Sequence, residues 1–400
     1  MIKFAGLELK NPFVVASGPL TASIEQIELA EKYGAAGVSI KQVMTRQTFK
    51  GQLRAYSDPG NVLIFPIDKR LSVEEGLDLV RKAKERTSIA IIVNLSSQEP
   101  DIEEYGRLAR RFEQVGVDAI EINLCCPNFS LGKRQLGMDI IENDIETGAV
   151  IGQNPTLPAA ITEIIKNSVS IPVIPKLTPT ALDVGQVARE CEKAGADGLS
   201  LVGGPSLAAP PVDIYNGGRP LYPLMNNAAF GAITGSAIRF ATFKVTAQVA
   251  QRVKVPLMSS GGIDKWRHAI EMMMWGATVV SACTAIMWHG FEVISKILTG
   301  MDKFLEEQGY ASYNDIVGIS LKYLTSTDHL DLVPGHAVVD LDRCNGCGLC
   351  LKVGHCDAIA INGNKAIVVP EHCIGCGICA SICPKKAITM NTGSFKSIIT

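Results

Sequence analysis

The sequence has almost no excess of charge of either sign. Its 38 basic and 40 acidic residues leave a formal net charge of -2. Proteins that bind nucleic acid or anionic membranes mainly by electrostatic attraction carry a marked basic excess. The charge balance therefore argues against both kinds of partner.

Long hydrophobic runs and export signals are also scarce. The first residues, MIKFAGLELKNP, carry charges and a turn signal where a signal peptide would have an apolar core. The longest apolar stretch, GATVVSACTAIMW (276–288), is shorter and more polar than a bilayer-spanning helix. We therefore expect no membrane segment and a cytoplasmic location.

A dinucleotide-binding glycine motif is missing too. No GxGxxG follows a predicted strand, so we expect no nicotinamide site within the chain. The composition is otherwise that of a globular protein, with 47% hydrophobic and 20% charged residues. The length of 400 residues is sufficient for one large barrel and a small additional domain.

Cysteine, in contrast, is abundant and clustered near the carboxyl terminus. Eight of the 12 cysteines lie in two CxxCxxC runs, and the absence of an export signal argues against disulfides. The second run, Cys373 to Cys383 followed by Pro384, matches the bacterial C-x2-C-x2-C-x3-C-P pattern for [4Fe-4S] clusters. In such modules the fourth cysteine of each run binds the other cluster. We therefore assign Cys344, Cys347, Cys350 and Cys383 to the first cluster, and Cys373, Cys376, Cys379 and Cys356 to the second.

The first cysteine run departs from the pattern. Five residues, LKVGH, separate Cys350 from Cys356, and Asp357 stands where proline is usual. Two structural zinc sites are the alternative interpretation. Glycines at 346, 348, 375 and 377 would let the backbone wrap closely around each cluster. With DAIAING and KAITM as short strands, residues 336–392 resemble a two-cluster ferredoxin domain, preceded by a helical linker (306–335) and followed by a tail (393–400).

Residues 1–305 alternate short apolar runs with amphipathic helical segments. Eight such β–α units favour a TIM (β/α)8 barrel over an open doubly wound sheet. The predicted strands are FVVAS (13–17), GVSIK (37–41), IAIIVN (89–94), DAIEIN (118–123), PVIPKL (172–177), DGLSLV (197–202), VPLMSS (255–260) and ATVVSA (277–282).

Polar residues end most of these strands, where barrel enzymes place their chemistry. A single polar residue at a strand end is usually a turn cap, whereas six around one rim indicate an anionic, hydrogen-bonding ligand. The SSGGID segment (259–264) after strand seven lies at the usual phosphate position. The six residues are Ser17, Lys41, Asn94, Asn123, Lys176 and Ser259.

Several motifs together resemble the dihydroorotate and dihydropyrimidine dehydrogenase family. They are NPFVVASG, EINLCCPN, PKLTP, SSGGID and CTAI. The likeness is greatest to the bacterial dihydropyrimidine dehydrogenase branch, in which an FMN barrel precedes two [4Fe-4S] clusters. The resemblance implies an FMN site formed by Ala16, Ser17, Gly18, Lys41, Asn94, Asn123, Lys176, Gly203, Ser260, Gly261, Gly262, Cys283 and Thr284. Lys41, Asn123 and Lys176 would also be the catalytic residues.

Two departures from the family pattern bear on the substrate. The family's iron–sulfur branch has an acid/base cysteine before a Gly-Gln pair, and this chain has Ile151 there. Gly203 and Gly204 stand where the substrate-binding branch usually has Asn-Thr. Substitute proton donors in the preceding loop are Glu142, Asp144, Glu146 and Thr147, although solvated loop charges are the alternative interpretation. Cys125 and Cys126 should point to opposite sides of their strand, with Cys126 in a buried, apolar setting.

These features together predict an FMN- and iron–sulfur-dependent oxidoreductase acting on a carbon–carbon or carbon–nitrogen bond of a small cyclic or activated substrate. The resemblance implies a separate FAD/NAD(P)H-binding subunit and hence a hetero-oligomer. One alternative is an electron-transfer subunit without small-molecule chemistry of its own. Another is a flavin-free barrel that binds a sugar phosphate.

Overall fold

The computed structural model describes residues 1–46, 51–58, 62–126, 148–203, 207–353 and 356–391. The chain forms two compact units, Met1–Tyr323 and Leu324–Thr400. Each unit has its own core, and they are described in turn.

The first unit is a closed barrel of eight parallel strands. Each strand pairs with the next, and the eighth pairs with the first, so the sheet has no open edge. Every strand overlaps its predicted run, which confirms the (β/α)8 prediction. The strands are β1 (Phe13–Val15), β2 (Gly37–Ser39), β3 (Ala90–Ser96), β4 (Ala119–Leu124), β5 (Val173–Leu177), β6 (Leu199–Val202), β7 (Leu257–Ser260) and β8 (Val279–Ala282).

Helices surround the barrel and pack their apolar faces on the strands. The second helix shows how local sequence sets a boundary: Ser72 Oγ accepts a hydrogen bond from Glu75 N at 3.2 Å, and the Glu75 carboxylate accepts one from Ser72 N at 2.7 Å. The described helices are α1 (Ile24–Lys32), α2 (Val73–Arg86), α3 (Glu104–Gln114), α4 (Thr156–Lys166), α5 (Val184–Lys193), α6 (Arg239–Ala250), α7 (Trp266–Met274), α8 (Thr284–His289) and α9 (Glu292–Gln308), with short 3-10 turns at Pro19–Thr21, Ile151–Gln153 and Ser236–Ile238.

An antiparallel hairpin closes the amino-terminal end of the barrel. Its strands, Ile2–Phe4 and Leu7–Leu9, pair in register. Phe4 is fully buried and packs with apolar residues at the starts of the barrel strands, such as Ile92 and Ile174. The hairpin therefore seals the end opposite to the one where barrel enzymes bind their ligands.

A second, four-stranded antiparallel sheet stands on the segments that follow β2 and β6. We call it the rim sheet; its strands are Arg54–Asp58, Val62–Ile67, Gly231–Gly235 and Leu207–Ala208. Two short strands, Val43–Met44 and Leu71–Ser72, extend the barrel sheet beyond the end of β3. A small hairpin, Val212–Asp213 with Arg219–Pro220, lies between two strands of the rim sheet in the sequence.

The barrel unit extends past residue 305, where the sequence placed the start of a linker. Two 3-10 turns, Tyr313–Ile316 and Leu321–Tyr323, follow α9. Ile316 is fully buried, and the N–H of Gly318 donates to the carbonyl of Met273 at 2.9 Å. The first half of the proposed 306–335 linker therefore packs on the barrel, and the division between the units falls after Tyr323.

The second unit is small and built from two strand pairs. His336–Val339 pairs with Ile388–Asn391, and Ile359–Asn362 pairs with Lys365–Val368. Its other described elements are the helix α10 (Ile378–Ser381) and 3-10 turns at Thr327–His329, Leu351–Val353 and Pro370–His372. The two strands predicted after the cysteine runs are both present. In the described part of both units, no helix is long and apolar enough to cross a membrane.

Candidate active site and cluster pockets

A cavity opens at the carboxyl ends of the barrel strands. It encloses about 980 Å³ of empty space, a figure that includes its open mouth. Leu63, Phe65 and Thr234 of the rim sheet form part of its wall. Its lining also includes these residues from the predicted FMN set: Ala16, Ser17, Gly18, Lys41, Lys176, Ser260, Gly261, Gly262, Cys283 and Thr284.

Three predicted residues lie elsewhere in the barrel. Asn94 and Asn123 are buried in the barrel wall, where Asn123 Nδ2 donates to Asn94 Oδ1 at 2.8 Å. The backbone N–H of Gly203 donates to Thr242 Oγ1 at 3.0 Å. A β-carbon at position 203 would lie 2.2 Å from the Thr242 backbone nitrogen, so the packing leaves no room for a side chain there.

Glu121 organises a buried polar layer across four adjacent strands. Its Oε2 atom accepts hydrogen bonds from Ser39 Oγ at 2.6 Å and from Asn94 Nδ2. Lys176 Nζ lies 3.8 Å from the same carboxylate oxygen. Burial by itself lowers the pKa of Lys176, but the Glu121 charge and nearby thiols outweigh burial and raise it. Lys176 therefore presents a stable positive charge to the cavity.

Lys41 has different neighbours in the cavity wall. Its ammonium group donates to Asp68 Oδ2, and both side chains are buried. Arg70 also donates to Asp68 Oδ2, at 3.0 Å. Burial lowers the pKa of Lys41; Asp68 opposes this effect and Arg70 adds to it. Asp68 and Arg70 both line the cavity.

The glycine segment after β7 makes a close backbone turn. Gly261 and Gly262 have φ angles of 112° and 80°, a region that L-residues with side chains rarely adopt. A β-carbon on Gly262 would lie 2.4 Å from the β-carbon of Arg239 at the start of α6. Two threonines of the same lining are also hydrogen-bonded: Thr284 Oγ1 donates to Thr234 Oγ1 at 3.0 Å. The closely packed glycines and hydroxyl groups fit a phosphate group.

Gly18 faces the same part of the cavity. A β-carbon there would lie 2.4 Å from Cys283 Sγ. Glycine thus leaves space for both the thiol and the cavity. Burial raises the pKa of Cys283 to about 11, so this thiol is protonated at neutral pH. With two cationic walls and a glycine-rich turn, the lining fits a planar, phosphate-bearing cofactor such as FMN.

The structure corrects the expected setting of Cys126. Cys125 is buried, whereas Cys126 is partly exposed, and both line the cavity. Asn123 orients this turn: its Nδ2 donates to Cys126 Sγ at 3.2 Å, and its Oδ1 accepts from the Cys126 backbone N–H at 2.9 Å. The alternation rule failed because β4 ends at Leu124, before the pair. Cys126 is therefore a thiol accessible from the cavity.

Ile151, which directly precedes the Gly152–Gln153 pair, belongs to the barrel core. It is 5% exposed and lies in a short turn against the end of β4. A β-carbon on Gly152 would lie 2.1 Å from the carbonyl oxygen of Leu124, which shows how closely the turn approaches. The four substitute proton donors predicted from the sequence (Glu142, Asp144, Glu146 and Thr147) lie outside the described residues, as does Gly204.

In the second unit, the eight clustered cysteines surround two pockets. The first is lined by Cys344, Cys347, Cys350 and Cys383, and the second by Cys350, Cys356, Cys373, Cys376 and Cys379. These groups agree with the proposed exchange of Cys356 and Cys383 between the runs. Among the described residues, no three His, Cys, Asp or Glu side chains converge as ligands of a single metal ion.

Backbone groups and glycines prepare both pockets for anionic sulfur. The N–H groups of Ala366 and Ala387 donate to Cys344 Sγ and Cys383 Sγ, each at 3.3 Å, and Ala337 N donates to Cys373 Sγ at 3.4 Å. Backbone hydrogen bonds also lower the pKa of Cys344. The four glycines of the cysteine runs have φ angles of 68°, 72°, 73° and 75°. The thiol arrangement and the N–H donors fit [4Fe-4S] clusters.

Three residues of the cavity region were missed at the level of sequence. Glu121 is the polar member of DAIEIN, and its charge in a buried strand was a usable signal. Asp68 and Arg70 lie in the charged segment DKR, which resembles an ordinary surface loop. Only the folded chain brings them to Lys41.

Comparisons with known proteins agree with this architecture. The profile of the dihydroorotate dehydrogenase family matches residues 1–305, and that of a 4Fe-4S binding domain matches residues 366–389. The catalytic subunit of dihydroorotate dehydrogenase B (NAD(+)) from Pyrococcus furiosus is 30% identical over 328 residues, covering 80% of this chain and 98% of the relative. The proteins of the same name from Methanothermobacter thermautotrophicus (28% over 320 residues; 78% of this chain, 96% of the relative) and Desulforamulus reducens (29% over 320 residues; 79% and 97%) are also similar. The chain therefore belongs to the dihydroorotate dehydrogenase family of oxidoreductases and carries a 4Fe-4S binding domain.

Proposed function

We propose that the chain is the catalytic subunit of an FMN- and iron–sulfur-dependent oxidoreductase that acts on a carbon–carbon or carbon–nitrogen bond of a small cyclic or acyl-activated substrate. One observation carries the proposal: a cavity with two lysines and a glycine turn exists in the same chain as two cysteine-lined pockets. The first arrangement suits a flavin and the second suits one-electron carriers.

The cavity residues have separate tasks in this proposal. FMN, the flavin expected of the family, supplies reversible one- and two-electron chemistry when bound. The turn at Gly261 and Gly262, with Thr284, would hold its phosphate through N–H and O–H donors. Lys41 and Lys176 supply positive charge at the wall, and Ala16, Ser17 and Gly18 leave space for a flat ring. The buried Asn94–Asn123 pair supports the wall from within.

Among the described residues, Cys126 is the group that we propose for proton transfer. Its thiol is partly exposed in the cavity and receives a hydrogen bond from the buried Asn123 amide. The Asn123 amide fixes the position of this sulfur in the cavity wall, where a cysteine side chain can exchange a proton with a bound substrate. Cys126 would thus replace the cysteine that is missing at Ile151.

The substrate in this proposal need not be a plain pyrimidine. Gly203 occupies a position where Thr242 excludes a side chain, so a polar group cannot read the substrate from there. A site without its hydrogen-bonding side chains loses orders of magnitude in discrimination. We therefore propose a general resemblance to dihydropyrimidine and dihydroorotate dehydrogenases, without assigning either substrate.

Electrons would enter or leave through the second unit. Two clusters can each carry one electron, whereas a reaction at carbon requires a pair. The relatives are named as catalytic subunits of an NAD(+)-dependent enzyme. We therefore propose that an FAD/NAD(P)H-binding subunit docks on this chain to form a hetero-oligomer.

The test uses the full chain purified without oxygen. We expect bound FMN, two [4Fe-4S] clusters, and a flavin that NAD(P)H alone leaves oxidised. After reduction with dithionite, the protein is mixed with orotate, uracil and other unsaturated ring or acyl compounds, and the flavin absorbance is followed. Reoxidation by one of them supports the proposal. A reducible flavin that none of them reoxidises, but that an electron-carrier protein does, would instead support an electron-transfer subunit. A colourless protein would contradict both functions.

A further inference from the structure

Backbone pairing between two chain segments holds Asp68 and Arg70 beside Lys41. The Leu71 N–H donates to the Gln42 carbonyl at 3.0 Å. Val43 and Met44 then pair in parallel with Leu71 and Ser72. The segment that carries Asp68 and Arg70 is therefore held against the segment that carries Lys41.

The side chains of these segments form one buried charged cluster. Lys41 Nζ and Arg70 Nη1 both donate to Asp68 Oδ2, while Arg70 Nε donates to Gln42 Oε1 at 2.8 Å. The side chains of Lys41, Asp68 and Arg70 are 4%, 6% and 9% exposed. Two positive groups thus share one negative group in the cavity wall.

The two partners affect Lys41 in opposite ways. The Asp68 carboxylate stabilises the ammonium form of Lys41, and the Arg70 guanidinium disfavours it through charge repulsion. The other titratable groups nearby are Cys283, whose thiol also interacts with Lys41, and Lys176, which shares the influence of Cys283. Neither competes for the Asp68 oxygen in the described structure.

We propose that Asp68 and Arg70 are an opposed pair of positioning residues: Asp68 orients Lys41 as an ammonium, and Arg70 limits the stabilisation that Asp68 provides. The pair thereby sets the charge that the cavity wall offers to its ligand. The consequence for a flavin rests on the proposed function, because a positive charge near a flavin stabilises its reduced form.

The charge of Lys41 can be measured without a flavin. The full chain is pulse-labelled with acetic anhydride at a series of pH values, and acetylation of Lys41 is quantified by mass spectrometry. Only the neutral amine reacts, so the midpoint of labelling reports the pKa of Lys41. We expect Asp68→Asn to lower this midpoint by about 1–3 pH units and Arg70→Gln to raise it by about one. Asp68→Glu, which keeps the carboxylate, should move it back toward the wild-type value.

A matched control comes from an exposed ion pair. Lys82 and Asp78 lie 2.6 Å apart on the surface of α2, with about half of each side chain exposed (51% and 56%). Asp78→Asn removes the same charge as Asp68→Asn but should leave the Lys41 midpoint unchanged. If the cluster only stabilised the fold, the labelling midpoint of Lys41 would shift in the same direction in Asp68→Asn and in Arg70→Gln.

Shifts in the same direction, or no shift, would overturn the inference. If Asp68→Asn does not fold, the upward shift in Arg70→Gln alone decides the question. Opposed labelling shifts in a protein without flavin would sustain this inference while refuting the proposed function.

Discussion

At the residue scale, Cys126 is distinguished by its hydrogen bonds to the buried Asn123. Its thiol is reached from the cavity, and the Asn123 amide both donates to its sulfur and accepts from its backbone N–H. We predict that Cys126→Ala slows flavin reduction by the reduced substrate about 100- to 10,000-fold, the usual effect of losing a general acid or base. Stopped-flow absorbance would measure this rate, and reduction by dithionite should be unaffected.

Cys191 provides the control for this substitution. It is fully buried in α5, and burial raises its pKa to about 12. Cys191→Ala should leave the rate of flavin reduction within a few-fold of the wild type. If the two variants behaved alike, Cys126 would have no special role in proton transfer.

Gly18 offers a prediction that depends on packing alone. Its missing β-carbon would lie 2.4 Å from Cys283 Sγ. Gly18→Ala should destabilise the protein by about 1–3 kcal/mol because the added carbon overpacks this contact. Urea denaturation would measure the loss.

The double variant tests whether the thiol is the cause. Gly18→Ala combined with Cys283→Ala should recover most of the loss, because the sulfur atom is gone. Equal destabilisation in the presence and absence of the sulfur would show that some other contact is responsible.

At the scale of elements, the carboxylate of Glu121 ties together β2, β3, β4 and β5. Ser39 and Asn94 donate to it, and Lys176 balances its charge. Glu121→Ala should lower the free energy of unfolding by about 3–5 kcal/mol, because it leaves a buried lysine without its partner. Chemical denaturation would show the effect.

Glu121→Gln is the milder companion variant. It keeps the shape and an acceptor oxygen but not the charge, so it should cost less than alanine and should lower the pKa of Lys176. A glutamine variant as unstable as the alanine variant would show that charge pairing, not hydrogen bonding, dominates.

The strands themselves were predictable, because each is a short apolar run between helical segments. The buried polar layer around Glu121 was not predictable, because its hydrogen bonds join Glu121 to Asn94 and Ser39 on different strands. Cys126 was misjudged for a related reason. Alternation applies only while a strand continues, and the sequence does not show that β4 stops at Leu124.

At the scale of the whole molecule, the proposed function assigns one cluster to each of the two cysteine pockets. The grouping predicts about eight iron atoms per chain, four in each cluster. Cys347→Ala and Cys376→Ala, one in each pocket, should each reduce the iron content by about half. Iron analysis of anaerobically reconstituted full-length protein measures this.

The iron analysis has an internal check. Cys191→Ala lies outside both pockets and should keep the full iron content. Zinc in place of iron, in any of the variants, would favour the structural-zinc interpretation instead.

Predictions for the whole molecule were uneven. Cysteine spacing is a local property of the sequence. It was enough to group the cysteines, including Cys356 and Cys383, as they line the two pockets of the second unit. The packing of residues 306–323 on the barrel, such as the burial of Ile316, depends on tertiary structure and could not be predicted from the sequence. Asp68 meets Lys41 for the same non-local reason.

The rim sheet has a consequence for how this mouth can evolve. Its central pairing joins Ala232 to Phe65 and Gly235 to Val62, so two loops from distant parts of the chain are in register. Inserting or deleting one residue in either strand would turn the following side chains of that strand to its opposite face, or break its register with the other strand. New ligand preferences should therefore arise here by exchanging side chains at constant loop length, or by matched changes in both loops. Transplanting a single loop from a relative should fail.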